Sequence, residues 1–290
     1  MLPAAWQPGQ ALAEAARDWT QPATPAQLDS ACLPPQTPAL WHAQGGWIKP
    51  ARLVAAWLST PGITWRGNAT VSQLVRHVGA WRAFDDTGHL LAEAELVVLA
   101  AGPGTRMLAE SAGLENSLAL QPIRGQASWA LHASGDAAGQ ADWAKAMPPF
   151  PVNGHGSLVP AVPLAEGLAW VAGSSFERDN TSTQLRPTDE RHNFSKLQTL
   201  LPAAAQALAP QFDSGQVQGW AAIRCATPSR LPSLGPLAGV PDAWVCSGMG
   251  SRGLTFAALC GELLAARLHG EPLPLEQRQA DALLPQYAAR

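Results

Sequence analysis

The chain is poor in charge. Lys, Arg, Asp and Glu make up 14% of its 290 residues, against roughly a quarter in an average soluble domain. The 19 Lys and Arg are outnumbered by 22 Asp and Glu, giving a net charge of −3. No bulk positive field is therefore available for wrapping nucleic acid, and any such contact has to come from a local patch. No uncharged apolar run reaches the roughly 18 residues that a membrane-spanning helix needs. Met1 to Gln10 lacks a basic region leading into an apolar stretch, which predicts a cytoplasmic protein without a secretory leader. Cys32, Cys225, Cys246 and Cys260 show no CxxC spacing, so reduced thiols are the expectation. There is no HExxH, no paired Cys/His spacing and no EF-hand loop, and so no support for a metal. GxSxG and GK[ST] are also missing, which excludes a serine-hydrolase elbow and a P-loop. The 7 His are dispersed, and each reads more readily as structural or exposed than as catalytic.

What the chain does have is apolar bulk and breakers. It is 47% hydrophobic with 12 Trp, enough to fill a core. The 26 Gly and 26 Pro predict many turns and short connections. The length suits one large unit or two domains.

Residues 1–44 are rich in Ala, Pro and Gln and read as a weakly organised lead-in with one helical stretch, Gln10–Trp19. Gly45-Gly46-Trp47-Ile48-Lys49-Pro50 breaks the chain and opens a helix with Leu53, Val54, Trp57 and Leu58 on one stripe. From Ile63 the period shortens. Ile63–Trp65, Val71–Val78 and Trp81–Phe84 read as strands, and Asp85-Asp86-Thr87-Gly88 as a hairpin turn into His89–Ala92. Glu95–Ala101 is apolar on both faces, as a central strand covered on both sides would be. It runs into Gly102-Pro103-Gly104-Thr105 and a helix to Ser111. Gln121–Leu131, Gly156–Pro160 and Leu168–Ser174 read as antiparallel strands, Thr181–Asn193 as a polar stretch, and Phe194–Leu208 as a helix interrupted by Pro202. Gln218–Ile223 and Ala243–Cys246 are strands, and Leu254–His269 a helix. Strands and helices alternate at both ends around a strand-rich middle, which predicts an α/β fold interrupted by an inserted antiparallel sheet.

Two glycine-rich crossings carry the chemistry. Gly248-Met249-Gly250-Ser251-Arg252-Gly253 is a GxGxxG between a strand and a helix. Its glycines let backbone approach a ligand, and the helix start offers free N–H groups. No strand follows that helix, so this is not the opening βαβ unit of a dinucleotide fold, and a tight packing turn is the alternative. Gly102-Pro103-Gly104-Thr105 obeys the same physics at a strand's carboxyl end, with an ordinary strand-to-helix turn as its alternative. Arg224 ends an apolar strand. A guanidinium there suits a substrate carboxylate held bidentately, and a surface arginine or a structural ion pair is the other reading. Arg178, Arg186, Arg191, His192 and Lys196 form a locally basic stretch, either a solvated face or a phosphate-contacting patch. Core packing is the expected fate of Trp47, Trp220 and Trp244.

Three stretches together resemble the D-amino-acid-oxidase-type flavoenzyme family. They are Ala94–Thr105, Pro122-Ile123-Arg124-Gly125-Gln126, and the run from Arg224 through Thr227-Pro228, Leu231-Pro232 and Gly235-Pro236 into the Gly248 motif. Within that family the chain is most similar to the oxidoreductase half of the bifunctional tRNA 5-methylaminomethyl-2-thiouridine biosynthesis proteins. Gly45-Gly46-Trp47 with Pro50, Phe176-Glu177-Arg178-Asp179, Ile223–Thr227 and Gly248–Ala257 carry this closer likeness, which extends from about Gly45 to the carboxyl terminus.

The resemblance implies a partial FAD-binding Rossmann-like domain plus a mixed α+β substrate domain. By it, residues 1–44 are the lead-in, 45–62 the entry helix of the substrate domain, and 63–118 part of the FAD-binding domain. Residues 119–222 are then the substrate domain and 223–290 the last part of the FAD-binding domain. It implies FAD as cofactor, with Gly248, Met249, Gly250, Ser251, Arg252 and Gly253 along the isoalloxazine and ribityl region. Gly102 and Gly104 fall on the ADP side, with Val71 against adenine through its backbone. Arg224 matches the position that grips the substrate carboxylate. The implied reaction removes the carboxymethyl group of 5-carboxymethylaminomethyluridine at the tRNA wobble position, with tRNA as substrate. An amine or amino-acid oxidase of the same superfamily and an inactive fragment are the alternatives. The family's first βαβ unit, with its own GxGxxG, has no counterpart here. Neither has the methyltransferase domain, expected upstream or as a separate chain. The sequence thus reads as the carboxyl-terminal piece of a longer protein. The whole assignment requires the crossings at Gly104 and Gly248 to converge.

Overall fold

The structure, a computed structural model, describes residues 19–114, 118–132, 143 and 145–288. The helix expected over Gln10–Trp19 lies outside the described residues except for Trp19. In chain order come β1 (Thr20–Pro22), α1 (Pro25–Ser30), β2 (Leu40–His42) and α2 (Pro50–Leu58). Then follow β3 (Gln73–His77), β4 (Ala80–Phe84), β5 (Leu90–Ala94), β6 (Val97–Leu99) and α3 (Gly104–Ser111). The middle holds β7 (Gln121–Leu131), β8 (Val152–Gly154), β9 (Gly156–Leu164), β10 (Gly167–Gly173), β11 (Glu177–Arg178), α4 (Pro187–Leu200) and α5 (Pro202–Asp213). Last are β12 (Gln218–Ala226), β13 (Ser233–Leu237), β14 (Val240–Ser247), α6 (Gly253–His269), α7 (Gln277–Asp281) and α8 (Pro285–Ala288). The mixed α/β architecture with antiparallel sheets is the one the sequence predicts.

The chain divides into two compact units, and β7 and β12 each pass from one into the other. The first unit comprises Met1–Pro61, Gln126–Ser175 and Gln184–Ala221. Its sheet sets β10 antiparallel between β7 and β9, with β8 pairing β9. Leu158, Trp170, Leu201 and Leu208 are fully buried in its core. Pro202 splits the expected single helix in two, because Leu201 before it takes φ −139° and ψ 77°, outside the helical region that a following proline disfavours. Helix α4 begins earlier than the sequence suggests, at Pro187, where the missing amide costs nothing. Its entrance is fixed by the buried Gln126 side chain, which accepts from the Arg186 N–H at 2.9 Å and donates to the Arg186 carbonyl at 3.1 Å.

Residues 20–42, expected to be weakly organised, form an antiparallel β1–β2 ribbon around α1. Thr24 and Gln27 close a reciprocal capping box at the start of α1, which satisfies two amides that a helix of this length would otherwise leave open. Helix α2 forms over its expected span, but none of its residues is buried, and Val54 and Trp57 are exposed. Trp47 and Trp220 are exposed as well rather than in the core, and Trp244 is half-buried.

The second unit comprises Gly62–Gly125, Phe176–Thr183 and Ala222–Arg290. One sheet is the β3–β4–β5 meander, and the other has β14 between antiparallel β13 and parallel β6. Leu74, Trp81, Leu99, Leu108, Ala243 and Val245 share its main core. A second cluster, with Leu234, Cys260, Leu263 and Leu283, packs under α6. Residues 63–65 hold no strand, and Ile63 and Trp65 are exposed. The expected strand Glu95–Ala101 shrinks to Val97–Leu99. Only Leu99 in it is buried, and β14 is its one partner among the described residues.

Candidate functional site: two glycine crossings at the ends of parallel strands

Strands β6 and β14 run parallel, with Ala243, Trp244 and Val245 opposite Val97, Val98 and Leu99. Each leads at its carboxyl end into a glycine crossing and then a helix: β6 into Gly102-Pro103-Gly104 and α3, β14 into Gly248–Arg252 and α6. Parallel pairing brings like ends together, so the two crossings lie side by side at the edge where α/β sheets collect ligands. The Ser247 hydroxyl joins them. It accepts from Thr105 Oγ1 at 3.2 Å and donates to the Gly102 carbonyl at 3.3 Å.

The glycines have distinct tasks. Gly102, Gly248 and Gly250 take φ of +54°, +74° and +59°, a region that costs an ordinary L-residue roughly 1–2 kcal/mol. A Cβ on Gly248 would lie 2.8 Å from the Thr227 methyl and 3.3 Å from Leu120, so this glycine lets the β14 exit pack against its own unit. A Cβ on Gly102 would meet nothing within 4 Å. Gly102 therefore bounds open space rather than packed protein. Beyond it, α3 and α6 both start without a side-chain cap. At α3 the Gly104 and Thr105 amides already donate to the Ala101 and Gly102 carbonyls, so what both helix starts offer a ligand is the positive end of the helix dipole.

Strand β12 supplies a third wall. Ala226 bridges Met249, and its Cβ would lie 3.8 Å from a Cβ on Gly250. Side chains two apart on a strand share a face, so half-buried Arg224 projects on the side of Ala226. Cys225 points the other way, into the core, within hydrogen-bonding reach of the Ser247 side chain and the Gly248 backbone; burial pushes its thiol up. Arg224 lies inside β12, which continues three residues past the expected end at Ile223.

The other predicted residues divide. Gly104 opens α3, and its N–H donates to the Ala101 carbonyl at 3.0 Å. Met249 packs against the cluster under α6, Ser251 is exposed, and Gly253 starts α6. The Arg252 guanidinium sits 5.2 Å over the Phe256 ring, and Nη2 donates to the Arg230 carbonyl at 3.2 Å, so this side chain is already engaged along the protein surface. Val71 lies just ahead of β3 with its side chain on the core shared by Leu99 and Val245, and no hydrogen bond links it to either crossing. The strand that follows it is tied to α3 by the Leu74 N–H, which donates to the Ser111 hydroxyl at 3.1 Å. Sequence reasoning missed Ser247, and it named Thr105 and Ala226 only as members of longer motifs, with no role of their own. The signal available for Ser247 was its place between a buried strand and the first glycine of the motif.

The site residues fit a flavin nucleotide: positive-φ glycines, open space at Gly102 and two uncapped helix starts converge on one edge. Comparison with known proteins agrees. The sequence model of FAD dependent oxidoreductases matches residues 1–267. The tRNA 5-methylaminomethyl-2-thiouridine biosynthesis bifunctional protein MnmC of Polaromonas naphthalenivorans is 72% identical, over all of this chain and 45% of its own length. Its namesake from a further Polaromonas species is 61% identical, over 99% of this chain and 44% of its own length. The chain thus spans less than half the length of the curated relatives it matches. In fold it is similar to glycine oxidase from Geobacillus kaustophilus, with TM-score 0.69 and 18% identity, covering 93% of this chain and 68% of that one.

Proposed function

We propose, from the fact that this chain belongs to the FAD-dependent oxidoreductase family, that it is the amine-oxidising part of a tRNA-modifying enzyme. The reaction is removal of the carboxymethyl group of 5-carboxymethylaminomethyluridine at the wobble position. Relatives named for tRNA 5-methylaminomethyl-2-thiouridine biosynthesis, 72% and 61% identical over the chain, support this substrate class. A methyltransferase domain belongs to the same proposal, since those relatives are bifunctional by name and more than twice as long. Among the described residues no helix is long and apolar enough to cross a membrane.

The observation that carries the reading is the meeting of the two crossings at the carboxyl ends of β6 and β14. Gly102 and Gly104 on one side, and Gly248 to Gly253 on the other, would hold the flavin nucleotide through backbone. Val71 is assigned to the adenine end. When bound, the flavin supplies two-electron oxidation, taking a hydride from the carbon beside the amine nitrogen. Arg224 grips the substrate carboxylate and so fixes which C–H is presented; holding a reactant in one orientation is where the protein contributes most. Water then hydrolyses the substrate imine, releasing glyoxylate and leaving the amine on the uridine.

The test is flavin release from purified protein, followed by incubation with tRNA carrying 5-carboxymethylaminomethyluridine and, separately, with glycine. The reading expects bound FAD, loss of the modified nucleoside and matching glyoxylate. Faster oxidation of glycine than of tRNA would transfer the chain to the amino-acid oxidases. Arg224→Ala should raise KM strongly and depress turnover at low substrate, with flavin content kept; unchanged turnover there removes Arg224 from the assignment.

A further inference from the structure

Ser247 is 2% exposed and Thr105 is fully buried, yet neither hydroxyl is spent on its own strand or helix. Thr105 donates to Ser247, and Ser247 donates onward to Gly102. The Gly102 carbonyl also accepts the Thr105 N–H at 3.1 Å, which is the bond that turns the chain into α3. On the other flank, Gly248 follows Ser247 directly, and Cys225 reaches both. One hydroxyl pair therefore ties the exit of β6 to the exit of β14. Pairing of the strands ends at Leu99 and Val245, so beyond the ladder these bonds fix the separation of the crossings.

We propose that Ser247 and Thr105 act as a clasp, a pair of positioning residues that sets the spacing of the two glycine crossings before any nucleotide arrives. The proposal deepens the flavin reading and rests on it for its consequence, though not for its geometry. A buried hydrogen-bonded relay holds backbone donors where a ligand will need them, so less ordering is left to binding. Removing one member leaves its partner unsatisfied and frees both crossings at once.

The experiment uses the full chain with and without FAD. Amide hydrogen exchange at Gly104 and Thr105 and at Gly248 to Gly253 is followed in the apo protein, and FAD affinity is read by fluorescence titration. In Ser247→Ala and in Thr105→Val, exchange at both crossings should accelerate and the FAD dissociation constant rise about tenfold, the scale of one net hydrogen bond. The double variant should lose little more than either single one, because the pair acts as a unit. Thr105→Ser keeps the hydroxyl and should stay within about twofold of the parent. Ser157→Ala removes a comparable hydroxyl bond, 2.7 Å to the Gly173 carbonyl in the first unit. It should lower Tm and leave FAD affinity unchanged. Faster exchange at one crossing alone, additive losses in the double variant, or an equal affinity loss in Ser157→Ala would overturn the clasp. Should Ser247→Ala fail to fold, the Thr105→Val and Thr105→Ser pair decides. If the parent chain takes up no FAD, the flavin reading fails while apo exchange still judges the clasp.

Discussion

Gly102 and Gly248 both take left-handed backbone, but they answer to different neighbours. At Gly248 a methyl would meet the Thr227 side chain at 2.8 Å, and Thr227 is itself buried at 3% exposure. Strain of about 1–2 kcal/mol adds to overpacking of about 1–3 kcal/mol. Gly248→Ala should therefore destabilise the second unit by about 2–5 kcal/mol, measurable by denaturant unfolding. At Gly102 the same methyl points into open space, so only the strain of about 1–2 kcal/mol remains. Gly102→Ala should lose only about 1–2 kcal/mol of stability yet bind FAD markedly less well, because the methyl occupies ligand volume. A Gly102→Ala protein with full flavin affinity would place the nucleotide elsewhere. The sequence shows both glycines equally clearly, since each follows a strand. It cannot separate them, because Thr227 and Leu120 come from distant segments and only the fold sets them against Gly248.

The β4–β5 hairpin turns on Asp85. Its carboxylate accepts from Thr87 Oγ1 at 2.7 Å, from the Thr87 N–H at 2.9 Å and from the His89 N–H at 2.8 Å. These bonds, the Thr87 hydroxyl foremost, hold Asp85 below the usual carboxylate range. A depressed folded pKa means that the contribution is present above the unfolded value and is lost as pH falls through the folded one. The hairpin should accordingly loosen only under acid conditions, below the ordinary carboxylate pKa. Asp85→Asn should abolish that acid step, as followed by the amide signals of Thr87 and His89. An acid step of unchanged size in the variant would assign it to another group. This turn is fully readable in Asp-Asp-Thr-Gly, because all its bonds lie within five residues. The α2 stripe is equally readable as a helix, yet none of its residues is buried, since periodicity gives the face of a helix but not what covers it. Strand β6 shows the same gap. Its unbroken apolar run suggests cover on both sides, whereas among the described residues it pairs with β14 alone and only Leu99 is buried.

At the scale of the whole chain, each unit has its own core: Trp170 with Leu158 and Leu208 in the first, and Trp81 with Leu99 and Val245 in the second. Every residue assigned to the flavin falls in the second unit, including Val71, Gly102 and Gly248, and so does Arg224, assigned to the substrate carboxylate. That concentration is legible in the sequence only through family resemblance, because the segments contributing to the unit are separated by long stretches of chain belonging to the other. It has an energetic consequence. A ligand that binds only folded protein adds RT ln(1 + [L]/Kd), about 2.7 kcal/mol at a hundred times Kd, to the structure that must open to release it. FAD at that ratio should slow exchange of the β14 amides about a hundredfold where they exchange by unfolding of their unit. The β9 and β10 amides, which hydrogen-bond around the other core, should slow far less. Equal slowing in both sets would show the two cores opening as one cooperative body, and the flavin would then stabilise residues that it never touches.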